Sequence, residues 1–106
     1  MSKVEIIKQG AGLFAIVGDL TFSSIDKETL KSFAFLKSSN PITLDLSQVA
    51  NTDSAGLALV IEWIKYASIH QIELKFKNIP EQLLTLAKLS GLEQTGLFSI
   101  QADATN

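Results

Sequence analysis

The chain has 106 residues, 46% of them hydrophobic, and a mean hydropathy of +0.25, enough for one domain (1–106) with a continuous core and against disorder. With 9 Lys+Arg against 11 Asp+Glu the net charge is -2, and no run of like charge offers a stripe for nucleic acid. The absence of cysteine removes disulfides, thiolate zinc sites and cysteine nucleophiles together, and fits a reducing compartment.

The start, Met1-Ser2-Lys3-Val4-Glu5, runs into alternating strand-like sequence with no secretory apolar region. The longest uncharged apolar stretch, Ala55 to Ile61, falls far short of the ~20 residues of a membrane span. A cytoplasmic location is expected, with any membrane role indirect.

Apolar runs at Val4 to Ile7 and Leu13 to Leu20 flank Gly10-Ala11-Gly12, whose glycines allow positive φ, and predict a hairpin. Ser23 and Ser24 precede a helix over Ile25 to Lys37, with Leu30, Phe33 and Ala34 on one face and Asp26 near its positive end. Pro41 breaks that helix, and Ile42 to Leu46 reads as a central strand. A polar crossing from Ser47 to Asp53 leads to a helix over Ala55 to His70, where Leu57, Val60, Ile61, Ile64 and Ala67 share a face. Ile72 to Lys77 alternates strictly, as a strand with one apolar and one charged face does. Pro80 and Gly91 bracket a helix over Glu81 to Ser90 carrying Leu83, Leu86 and Ala87 inward. A short strand over Gly96 to Ile100 precedes a polar tail of about 101–106, expected to fray. The order ββαβαβαβ implies an α/β fold with a mixed or parallel sheet covered by helices.

Several chemical signatures fail on context. Gly10 to Ala15 satisfies GxGxxA, but a dinucleotide fingerprint must open a helix and here a strand follows. His70, the sole histidine, has no spaced partner for a metal and reads as a cation at a helix C-terminus. A triad of His70 with Asp53 and Ser54 fails too, because sixteen residues of helix at ~1.5 Å each separate them by ~24 Å. No convergent acid, base and nucleophile set remains, so no enzymatic activity, cofactor or metal is expected.

Two features stand out on the central helix. Asp53 or Ser54 is placed to cap it, and a hydroxyl there also sits where a phosphate dianion meets the helix dipole and free amides. At ~100° per residue from Ser54, Leu59, Trp63 and Tyr66 fall near 140°, 180° and 120°, away from a core stripe centred near 280°. That spacing predicts a second apolar stripe, read as a partner surface, with Trp63 as a border residue of the core being the plainer alternative.

The hairpin start, Gly18-Asp19-Leu20 ending the second strand, and Leu44-Asp45-Leu46 leading to Asp53-Ser54-Ala55-Gly56-Leu57 at a helix start resemble the STAS domain, the fold of bacterial anti-sigma factor antagonists. The likeness spans about Val4 to Ile100 and implies a STAS-type mixed sheet with helices packed on it. In the antagonists the hydroxyl residue after the motif aspartate is phosphorylated by a partner kinase, a role that would fall to Ser54. Gly56-Leu57-Ala58-Leu59 and Thr85-Leu86-Ala87-Lys88-Leu89 look more like the STAS subunit of the Mla phospholipid-transport ABC complex, although Ser54-Ala55 replaces a Thr-Gly pair there. That resemblance implies a non-enzymatic cytosolic subunit docking on the transporter's ATPase subunit. The alternative it implies is an anti-sigma factor antagonist, with an anti-sigma factor kinase as partner and Ser54 as the regulated residue. The expected partner-binding surface is Asp19, Leu20, Asp53, Ser54, Ala55, Leu59, Trp63 and Tyr66.

Overall fold

The computed structural model describes residues 4–26, 29 and 33–89. β1 (Glu5–Gly10) and β2 (Leu13–Leu20) form the expected hairpin. Gly12 closes it at φ +73°, and a side chain there would press on the Pro41 carbonyl oxygen at 2.6 Å, so glycine is required at this turn. β3 (Ile42–Thr52) and β4 (Leu74–Lys77) follow, in sheet order β1-β2-β3-β4. The hairpin is antiparallel, while β2 with β3 and β3 with β4 are parallel, as chain crossovers between strands demand.

The helices α1 (Ser54–Ile69) and α2 (Glu81–Leu89) accompany the sheet. Phe14, Leu44 and Phe76 stand opposite one another across the three parallel strands and are buried with Ile16, Leu57, Val60, Trp63 and Leu83. The α/β class agrees with the sequence, and the order of the described elements is broadly consistent with it. Gln71, at φ +59°, ends α1: its amide donates to the Ser68 carbonyl and that of Ile72 to the Ala67 carbonyl, a left-handed closure usually given to glycine.

Several boundaries differ from expectation. β3 does not stop at Leu46 but runs to Thr52, because its polar second half pairs with β2 (Val17 with Gln48, Gly18 with Val49, Leu20 with Thr52) across two register shifts. Backbone pairing, not apolar alternation, sustains that half. β4 starts at Leu74 and not at Ile72, since the closure of α1 uses the Ile72 amide. Of the helix expected over Ile25 to Lys37, Asp26 accepts from the Thr29 amide at 2.9 Å as a capping residue does, and Ala34–Lys37 is a 3₁₀ turn. Residues 27–28 and 30–32 lie outside the described residues, as do the strand expected over Gly96 to Ile100 and the tail.

Candidate functional site

β2, β3 and α1 converge at one end of the sheet. The Asp53 amide donates to the Leu20 carbonyl at 3.1 Å, which ties the end of β3 to the end of β2. Asp53 has extended backbone and caps α1: its Oδ1 accepts from the amides of Ala55 (2.9 Å) and Gly56 (3.4 Å). Its other oxygen, Oδ2, accepts from the Phe22 amide at 3.0 Å. One carboxylate therefore holds both the helix start and the turn after β2. Phe22 on that turn is 83% exposed. Ser24 braces the turn from inside, its hydroxyl donating to the Asp19 carbonyl at 2.6 Å.

Ser54 is the first residue of α1 and is exposed, so of the two candidate caps the aspartate does the capping and leaves the serine facing solvent. Asp19, half-buried, accepts from Asn51 Nδ2 at 3.2 Å. Gly56 packs so closely on Leu20 that a Cβ would lie 2.7 Å from the Leu20 Cβ. The glycine of the Asp53-Ser54-Ala55-Gly56-Leu57 motif is thus where helix and strand meet with no room for a side chain.

Beside this tip opens a cleft of about 370 Å³ lined by Thr52, Asp53, Ser54, Gln82, Thr85 and Leu86. Gln82 Oε1 accepts from the Thr52 amide at 3.3 Å. The Thr52 side chain is buried and its hydroxyl has no hydrogen-bond partner. Sequence reading missed the α2 contribution. The signal was present in the i, i+3, i+4 spacing of Gln82, Thr85 and Leu86, which puts two polar side chains and a leucine on one face.

The structure brings only some of the expected surface residues together in the open. Asp19, Asp53, Ser54 and Ala55 gather at the tip, exposed or half-buried. Leu20, Leu59 and Trp63 are fully buried, so the second apolar stripe is no open partner surface. Buried Gly56, at ~200° around the helix, joins Trp63 at ~180° to Ala67 of the core stripe at ~220°, so the two supposed stripes make one broad buried sector. The flank that sequence left bare is covered by the chain itself. Phe35 meets Trp63 edge-on at 5.6 Å between ring centroids, and Phe33 stacks on Tyr66 at 4.6 Å. Tyr66 is half-buried and also stacks on His70 at 4.1 Å. His70 Nδ1 lies 2.9 Å from the Tyr66 carbonyl, within hydrogen-bond reach.

Among the described residues no group of three His, Cys, Asp or Glu side chains could hold a metal, and no helix is long and apolar enough to cross a membrane.

Comparison with known proteins bears on this geometry twice. The chain is similar in fold to the anti-sigma factor antagonist SpoIIAA in its unphosphorylated form, with a TM-score of 0.59 over 80% of this chain and 81% of that one. At 12% identity, the likeness is one of architecture. The family model described as "Mlab, STAS domain" matches residues 7–100, from the hairpin through the tip and both helices. By that match the chain belongs to the STAS domain family.

Proposed function

We propose that this STAS domain performs no chemistry of its own and docks a protein partner through the tip formed by Asp19, Asp53, Ser54 and Ala55, with Ser54 as a phosphorylation switch, in the manner of an anti-sigma factor antagonist. The observation that carries the reading is the exposed Ser54 hydroxyl at the first position of α1, beside a carboxylate already committed to the Ala55, Gly56 and Phe22 amides.

A phosphoserine adds about −1.5 to −2 charges. Attraction to a helix N-terminus contributes about 0.3–1 kcal/mol, and here Asp53 has taken two of the amides that would receive the phosphate. For an illustrative separation of about 6 Å, repulsion from Asp53 is ~0.7 kcal/mol per unit charge in water and ~3 kcal/mol at an effective dielectric of 20. Repulsion equals or exceeds attraction across that range, so phosphorylation works against the Asp53 clamp and the surface it shapes. The likeness of the fold to SpoIIAA supports this reading. Incubation with an anti-sigma factor kinase and ATP should label a peptide containing Ser54, and Ser54→Ala should abolish the label. Failure of several such kinases to label the wild type would overturn it.

A second reading has one observation of its own, the family model's description as an Mlab STAS domain. In it the same tip docks on the ATPase subunit of a phospholipid-transport ABC complex. Copurification with such an ATPase, lost on Ser54→Arg, supports it; copurification unaffected by Ser54→Arg counts against the tip.

A further inference from the structure

We infer that the cleft beside Ser54 receives a guanidinium side chain presented by the docking partner. The inference rests on the docking reading above and names the chemistry by which the tip recognises its partner.

The lining sets the class of ligand. Thr52, Ser54 and Thr85 supply hydroxyls, Gln82 a carboxamide, Asp53 a carboxylate and Leu86 an apolar wall. Every polar side chain in that set accepts hydrogen bonds and none is cationic. An anion has little to gain there, because Asp53 occupies the Ala55 and Gly56 amides that would otherwise bind it. A donor-rich cation with a flat apolar stem fits: the guanidinium meets the carboxylate and hydroxyls, and the stem lies on Leu86.

An independent observation also points to a missing hydrogen-bond partner in the cleft wall. Thr52 is 3% exposed and its hydroxyl is unpartnered, a state that native proteins rarely leave uncompensated. Beside it, exposed Gln82 is held to the Thr52 amide by one long bond of 3.3 Å. Its movement opens the Thr52 hydroxyl to an entering N–H. The chain itself contains no arginine, so the guanidinium must come from outside.

The probe is N-acetyl-arginine amide, titrated into the ¹⁵N-labelled full chain and followed by amide chemical shifts, with N-acetyl-citrulline amide and inorganic phosphate as controls. Saturable shifts at Thr52, Gln82 and Thr85 with arginine, absent with citrulline, are expected. Thr52→Val removes only the unpartnered hydroxyl and should weaken arginine binding at least threefold without lowering Tm. Equal affinity in Thr52→Val, equal shifts with citrulline, or saturation by phosphate instead would each overturn the proposal. If arginine leaves the cleft untouched while Ser54 is still phosphorylated or a partner still copurifies, the guanidinium assignment falls and the docking reading stands. If arginine binds but no partner docks at the tip, the docking reading falls and the cleft chemistry stands.

Discussion

Gly56 of α1 lies against Leu20 of β2 so closely that a methyl group on Gly56 would come within 2.7 Å of the Leu20 Cβ and press on the Leu20 carbonyl. Leu20 is fully buried and its carbonyl accepts the Asp53 amide, so neither side can yield. Alanine is the better helix former by about 1 kcal/mol, yet here overpacking dominates. Gly56→Ala should lower stability by about 1–3 kcal/mol in urea unfolding, and an unchanged or raised midpoint would contradict this contact.

Asp53→Ala removes the cap of α1 and the tether on Phe22 in one step. Loss of such a cap costs about 1–2 kcal/mol. Amide exchange should quicken at Ala55, Gly56 and Phe22 together, since all three donate to the lost carboxylate. Faster exchange confined to α1 would show that the Phe22 bond contributes nothing.

Trp63 is a core residue and should behave as one. Trp63→Ala should cost about 3–5 kcal/mol, beyond what a marginally stable small domain tolerates easily. Trp63→Phe should cost less: it keeps a ring against Phe35 and removes an indole N–H that is buried without a partner. Tryptophan emission of the native protein should be blue-shifted and poorly quenched by iodide. An emission maximum like that of free tryptophan would contradict the burial.

Asp45 sets an acid limit. Partial burial raises its pKa, but hydrogen bonds from Asn78 and from the Ser47 amide and hydroxyl, with the Lys77 charge, outweigh burial and hold the carboxyl below its ordinary value. A group depressed in the folded state adds stability above its unfolded pKa and loses it as pH falls through the folded one. Wild-type stability should therefore drop from about pH 4 downward, and Asp45→Asn should flatten part of that drop. A variant with the wild-type acid slope would remove Asp45 from the account.

Much of the fold was legible because local chemistry and global packing agree over most of the chain. Gly10-Ala11-Gly12 between apolar runs, Pro80 before α2, and the apolar spacing of α1 each specify their element without help from distant residues. The second half of β3 was not legible, since Ser47 to Asn51 owe their strand to the backbone of β2. The tip was legible at Asp53 and Ser54 because a cap has a local signature. Leu59 and Trp63 were misplaced for the opposite reason: helical periodicity shows that a side chain is apolar and where it points, not that Phe35 has come from elsewhere to meet it. The cleft required α2 to lie beside the end of β3, a relation that no spacing within either segment contains.

Among the described residues, the segment between β2 and β3 is attached to α1 at two places, through the Phe22 amide at the helix start and through Phe33 and Phe35 on its flank. It acts as a strap with two stitches, and the chain's sole tryptophan lies beneath the second. Loosening the first stitch leaves the strap held by Phe33 on Tyr66 and Phe35 on Trp63. The fluorescence of that one indole consequently reads the second stitch, the packing of Phe35 on the flank of α1, without any label.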